Sequence, residues 1–275
     1  MRALARWIGC LIVAGIALEL FFIVRIAAMA AIDPQSTTFQ RSEMWRIALR
    51  DGGEAESGDG PPRAGERPLG GQRAHASGER GGFVWRQQWV PYERIHDNLK
   101  RAVIASEDAA FTDHEGVEWE AIERARQRNA KAEELAAKRA ARAAARGKPV
   151  RPPQLRGGST ITQQLAKNLL LSGERTLLRK GQELVLAYAL ETFLGKRRIL
   201  EIYLNSVEWG DGVFGAEAAA QRYYRKSAAQ LTAREAARLA VMLPSPRFYE
   251  QRPNSPYLNG RSATITARMG AVEVP

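Results

Sequence analysis

From Trp7 to Val24 the chain is apolar except for Glu19, and beyond Arg25 the apolar character resumes from Ile26 to Ile32. A run of about 18 residues or more is long enough to cross the roughly 30 Å hydrocarbon core as a helix, the one single-segment conformation that satisfies every backbone hydrogen bond in lipid. Arg2 and Arg6 precede the run, so the positive-inside rule holds the N-terminus in the cytoplasm and sends the remainder outward. The competing reading is a cleaved signal peptide, because Ala28-Met29-Ala30 offers a small-x-small site; the run exceeds the usual h-region of about 7 to 15 residues, which favours an anchor. Glu19 within the span needs a partner helix or a proton.

The chain beyond this run therefore reads as a membrane-tethered domain. Lys plus Arg number 41 against 30 Asp plus Glu, a net charge of +11 that favours polyanions such as nucleic acid, acidic lipid or pyrophosphate without choosing among them. Cys10, the only cysteine, excludes an intrachain disulfide. Residues 51–82 are rich in Gly, Pro, Arg and Glu and nearly devoid of aliphatic side chains; they bury too little to offset ordering entropy, and disorder is expected. Residues 124–151 differ, being Ala-rich with Lys131, Lys138, Arg139, Arg142 and Arg146, and read as a solvated basic helix ending at Gly147.

Elsewhere the periodicity is helical over Leu99 to Ala110, Ile161 to Leu171, Arg179 to Leu194 and Arg198 to Leu204. Thr232 and Glu235 form a capping box before Ala236 to Leu243, which Pro244 ends. No stretch alternates with period two between hairpin turns, so the expected class is mostly α.

Four clusters arrive in order: Glu107-Asp108 with Phe111, His114 and Gly116; Gly157-Gly158-Ser159-Thr160-Ile161-Thr162-Gln163-Gln164 continuing to Asn168; Arg179-Lys180 with Glu183; and Lys196 followed by Ile199 to Asn205. Together they resemble the family 51 glycosyltransferases that polymerise peptidoglycan, the glycosyltransferase domain of class A penicillin-binding proteins and its monofunctional counterparts. The resemblance spans roughly residues 84 to 250. It implies a lysozyme-like, two-lobed helical domain with a membrane-proximal lobe. It also implies inverting transfer between lipid-linked disaccharides (lipid II) to give a β-1,4 glycan at the outer face of the inner membrane.

Such chemistry needs a base to withdraw the proton of an attacking sugar hydroxyl, a contribution of about 10² to 10⁴ in rate, and a carboxylate tuned upward by burial suits the task. Glu107, after the apolar stretch Ala102 to Ala105, is that candidate, with Asp108 and Phe111 beside it as substrate contacts; Phe111 alternatively packs beneath the cleft. A pyrophosphate departs unprotonated if cations absorb its charge. By resemblance Lys167 and Arg175 contact it, and Arg179 and Lys180 follow one turn later. Glu183 lies in an apolar helix and needs a partner, which Lys180 at i−3 and Arg179 at i−4 can supply; the resemblance adds a catalytic role across the cleft. Ser159, Gln163 and Gln164 offer neutral groups to sugar hydroxyls and acetamides.

No metal-ligand cluster is visible, and His114 reads as a hydrogen-bonded member of its motif. No cofactor is required by this chemistry, though a divalent cation such as Mg²⁺ can assist. Lys196 to Asn205 reads as framework, with Glu201 and Asn205 fixing loops, and the glycines of 208–215 suggest tight helix packing. The expected organisation is an anchor (1–32), a membrane-proximal segment (33–83) and a glycosyltransferase domain (84–275) carrying the basic insertion (124–153). Expected partners are lipid II, the growing glycan, the membrane and separate transpeptidases or division proteins, since no Ser-x-x-Lys occurs in the chain; nucleic acid is not among them. A lytic enzyme of similar fold and a non-catalytic scaffold are the alternatives. The first leaves a pyrophosphate-sized cation cluster unexplained, the second the carboxylate motifs.

Overall fold

The computed structural model describes residues 2–56, 85–144, 157–171 and 176–275. As the periodicity requires, helices dominate. The order is α1 (Arg2–Ala28), α2 (Thr38–Glu56), β1 (Arg86–Gln87), α3 (Asp97–Glu107), α4 (Trp119–Ala144), α5 (Ile161–Leu170), α6 (Leu177–Ser206), β2 (Glu208–Gly210), β3 (Val213–Phe214), α7 (Ala216–Tyr224), α8 (Ala233–Met242), α9 (Pro246–Glu250) and α10 (Pro256–Arg268).

The apolar N-terminal run is one continuous helix, α1, long enough to cross a membrane. Its C-terminal half lies along α6, where the Gln182 amide donates to Glu19 Oε1 at 3.0 Å. That contact answers the need of Glu19 for a partner helix. Ile26 and Met29 join the domain core, and Arg198 donates to the Met29 carbonyl at 2.8 Å.

The core is made by α3, α5, α6, α8 and α10. Helix α3 packs on α8 and α5 on α6, and Leu99, Val103 and Ile104 of α3, Leu165 and Leu169 of α5, Leu186 and Leu190 of α6 and Leu239 and Ala240 of α8 are all buried in the one core. Each such fully buried side chain is worth roughly 2 kcal/mol of transfer free energy. Capping boxes begin both α5 (Thr160 with Gln163) and α8 (Thr232 with Glu235). The two helices expected over 179–194 and 198–204 are both present as the two halves of α6, separated by a kink at Gly195, whose φ of 68° is non-helical. Framework roles expected of Glu201 and Asn205 hold: Asn205 exchanges two hydrogen bonds of 2.9 Å with the Val90 backbone, and Glu201 accepts from the Tyr92 N–H at 3.2 Å.

Four expectations change. Helix α3 stops at Glu107 instead of reaching Ala110, because Asp108 leaves helical geometry and its carboxylate is claimed elsewhere in the fold. Residues 208–215 form short strands where none was expected, while their glycines do make the expected tight packing against helices: a Cβ on Gly215 would lie 2.7 Å from the Asn205 carbonyl oxygen of α6. Here β3 pairs parallel with β1 and antiparallel with β2, and Trp209 is buried, its indole N–H donating to the Leu239 carbonyl at 3.0 Å. Helix α2 runs through residues 51–56, so the segment expected to be disordered begins as helix; residues 57–84 lie outside the described residues. The basic helix starts earlier than expected, at Trp119, and its N-terminal half is not merely solvated: Ala125 is buried against the domain. Its expected end at Gly147 lies outside the described residues.

Candidate active site

Glu107 is the last residue of α3, placed at a cleft edge by the termination of that helix. Ser106 Oγ and Gln164 Nε2 donate to its two oxygens, at 3.3 and 3.2 Å. Burial pushes its carboxyl above the ordinary carboxylate value. Those two hydrogen bonds and the charge of Arg261 partly oppose the rise, and Asp108 adds to it. Gln164 is itself held, since its side-chain oxygen accepts from the Tyr203 hydroxyl at 2.9 Å. Tyr203 is fully buried, and burial raises its pKa well above the usual phenol value, so it remains a donor.

Asp108 does something other than expected. Its side chain is 1% exposed and accepts from the Ile161 backbone N–H at 2.9 Å and from His114 Nε2 at 3.0 Å. His114 Nδ1 accepts from the Gly116 N–H at 3.1 Å, which leaves the ring proton on Nε2 and makes His114 a neutral donor. This unit locks the end of α3 to the start of α5. Asp108 therefore positions Glu107 against Gln164 and presents no free carboxylate to a substrate. Phe111 is likewise fully buried, its ring under the Lys196 ammonium at 4.7 Å, so packing beneath the cleft is its role.

On α6 the anticipated i−3 and i−4 partnership is realised. Glu183, 4% exposed, accepts from Lys180 and, at 3.4 Å, from Arg179. Lys180 also reaches Ser159 Oγ at 3.5 Å. Thr176 caps α6 by accepting from the Arg179 N–H at 3.2 Å. Ser159, Arg179, Lys180 and Glu183, with Gln163, Gln164, Lys167 and Asn168, line a cleft of about 670 Å³. Two buried donors of this lining, Gln163 Nε2 and Arg179 Nε, have no protein partner among the described residues. Gln163 spends its oxygen on the Thr160 N–H at 3.1 Å, so only its amide nitrogen remains for a ligand. Arg175 lies outside the described residues.

A second pocket, of about 370 Å³, holds Glu107 and is lined also by Arg128, Arg261 and Arg268; Ser159 belongs to both pockets. Sequence reasoning missed these arginines. Arg261 and Arg268 stand two turns apart on α10, an i, i+7 spacing that puts them on one helical face and was the available signal. Arg128 comes from the basic helix α4. That helix approaches the cleft over Gly158, where a Cβ would lie 3.0 Å from the Ile122 Cα and 3.1 Å from the Ala121 carbonyl oxygen. The close approach expected of the Gly157-Gly158 pair is thus made by α4 at Gly158. Among the described residues no group of His, Cys, Asp and Glu side chains is arranged to hold a metal ion.

A carboxyl of raised pKa at a helix end, cations around a second carboxylate and unpartnered donors nearby are groups that can serve a transfer from an anionic leaving group. The transglycosylase family model matches residues 78–270. A biosynthetic peptidoglycan transglycosylase of Bordetella pertussis is 47% identical over 274 residues, covering 100% of this chain and 95% of that protein. Proteins of the same name from Burkholderia thailandensis and Herminiimonas arsenicoxydans are each 45% identical, over 278 and 276 residues, covering 90% and 99% of their own lengths. With a mostly helical, lysozyme-like fold and a match that covers its whole catalytic region, this chain belongs to the transglycosylase family.

Proposed function

We propose that this peptidoglycan glycosyltransferase polymerises lipid II, with Glu107 as general base. The acceptor's 4-hydroxyl oxygen attacks the donor's anomeric carbon from the face opposite the leaving group; its proton passes to Glu107, and the bond from the anomeric carbon to the pyrophosphate oxygen breaks. The raised pKa of Glu107 brings it closer to neutrality, where a carboxylate is a more effective base. Gln164, held by Tyr203, fixes which lone pair of Glu107 faces the acceptor.

The departing pyrophosphate is received by Lys167, Arg179 and Lys180, and by Arg175 on the family pattern. Glu183 keeps Arg179 and Lys180 in one place, so the cations need no reorganisation as charge develops. Ser159, Gln163 and Gln164 take the donor sugar. Asp108 and Phe111 act by positioning. The observation that carries this reading is the juxtaposition of a Gln164-held, half-buried Glu107 with the Arg179–Lys180–Glu183 cluster, Ser159 lining the pocket on each side.

The α1 helix fits a single-pass anchor. Burial of Ile26 and Met29 in the domain core supports an uncleaved helix, and Arg2 and Arg6 ahead of the span favour a cytoplasmic N-terminus with the catalytic domain on the periplasmic face of the inner membrane. Confinement of donor and acceptor to one bilayer raises their encounter frequency. Purified full-length protein incubated with labelled lipid II should give a ladder of glycans on a gel, and Glu107→Gln should give none. Equal ladders from both would remove Glu107 from the role of base.

A further inference from the structure

Helix α2 lies wholly before residues 78–270, the part that matches the family, yet Thr38, Phe39, Ser42 and Glu43 line the 670 Å³ cleft together with Lys167, Arg179 and Lys180. It is fastened on several sides. Thr38 Oγ1 donates to the Leu169 carbonyl at 2.9 Å, and the buried Gln40 donates to the Ser206 carbonyl at 3.2 Å. Arg46 and Arg50 both reach Asp211 in the β2–β3 turn. Arg247 of α9 bridges Glu43 to Glu208, 2.7 Å from the latter, and Ile47 is buried. A passing linker would not carry bonds to the ends of α5 and α6, to a strand turn and to α9.

The cleft is also uneven in charge: α5 and α6 contribute Lys167, Arg179 and Lys180, with Glu183 paired to the last two, whereas α2 and β2 contribute Glu43 and Glu208, the half-buried ring of Phe39 and the hydroxyls of Thr38 and Ser42. An anion placed against α2 and β2 would be repelled by these two carboxylates. A hydroxyl-rich, uncharged ring would not, because each carboxylate retains lone pairs beyond those its arginines occupy and accepts from sugar hydroxyls, while an aromatic face packs on the apolar face of a pyranose.

We propose that α2 is the saccharide-recognising wall of this cleft, with Phe39 packing against a sugar ring of the donor glycan and Ser42, Glu43 and Glu208 holding its hydroxyls while the pyrophosphate sits on the cations. This rests on the glycosyl-transfer reading of the same cleft. Substrate recognition then begins within ten residues of the end of the membrane anchor, and the anchor-to-domain connection is part of the active site.

The test is lipid II polymerisation by full-length protein in detergent, comparing the parent with Phe39→Ala, Ser42→Trp and Leu49→Ala. Leu49 is on the outward face of α2, 72% exposed, and its variant should match the parent. Loss of the ring contact in Phe39→Ala, or obstruction by Ser42→Trp, should raise KM for lipid II about tenfold and shorten the glycans, the scale of one lost aromatic contact. Ser42 is exposed and bonds only locally, to the Phe39 carbonyl, so Ser42→Trp should keep the parent's melting temperature even if Phe39→Ala, which loses the Phe214 edge contact, does not. An active parent with unchanged KM and glycan length in a folded Ser42→Trp protein overturns the wall. A parent that makes no glycan overturns the glycosyl-transfer reading, and the wall with it.

Discussion

The Tyr203 hydroxyl donates to the Gln164 side-chain oxygen at 2.9 Å, so the Gln164 amide nitrogen is turned towards Glu107. Removing that hydroxyl in Tyr203→Phe leaves a buried amide oxygen unpaired, a cost of about 1 to 3 kcal/mol, and frees Gln164 to rotate. The Gln164 hydrogen bond lowers the Glu107 pKa. Weakening it should move the acid limb of the kcat/KM profile to higher pH, with kcat at neutral pH down by about tenfold. A variant whose pH profile superimposes on the parent's would show that Tyr203 only fills the core.

Glu107 should cost stability while providing catalysis. Burial raises its pKa in the folded protein above the unfolded value, so the fold favours the protonated form. The stability gained from that preference is fully present below the unfolded pKa and lost as pH rises through the folded one. Glu107→Gln keeps an acceptor for Gln164 and carries no charge. It should melt higher than the parent at neutral pH, with the gap closing on acidification, while kcat/KM falls about 10² to 10⁴-fold. Calorimetry across pH beside the polymerisation assay checks both halves; a neutral-pH melting temperature below the parent's would contradict the first.

Asp108→Asn tests the junction of α3 and α5. The Asn oxygen can satisfy one of the Ile161 N–H and His114 Nε2–H donors, and its amide nitrogen then faces the other. Two donors meeting in a buried site should cost about 2 kcal/mol, a fall of roughly 4 to 8 °C in a domain of this size. Activity should fall with it through misplacement of Glu107 and Gln164. Normal stability with lost activity would instead return Asp108 to substrate contact.

Much of this site is legible in the chain because its parts are local. Glu183 finds Arg179 and Lys180 through i−4 and i−3 spacing, and the Thr160–Gln163 capping box is contained in four residues. The parts that are not legible depend on tertiary placement. Tyr203 sits in an apolar core pattern, and nothing local shows that its hydroxyl reaches across to Gln164 on α5. Asp108 reads as a charged helix end until the fold brings the Ile161 N–H to it. Glu43 and Phe39 belong to a helix with little apolar periodicity, and it is held beside the cleft by partners distant in sequence, Leu169, Ser206, Asp211 and Arg247. Residues 208–215 hide their strands because two- and three-residue strands are too short to show a period.

Glu183 separates two readings by whether kcat survives its neutralisation. If it serves only to neutralise Arg179 and Lys180, then Glu183→Gln leaves those cations more positive, and the donor pyrophosphate should bind as well or better with kcat retained. If its charge fixes the two cations where the leaving group's charge develops, the substitution should lower kcat about 10²-fold, the scale of one lost electrostatic contact in a transition state, while KM stays level or falls. The second outcome is expected, because Lys180 is 41% exposed and has no other partner among the described residues stronger than Ser159 at 3.5 Å. Without the carboxylate its ammonium would sample water before each transfer and pay the ordering entropy again as the pyrophosphate leaves. Steady-state kcat and KM on lipid II, with the melting temperature as a folding control, decide it: retained kcat would reduce Glu183 to a structural ion pair.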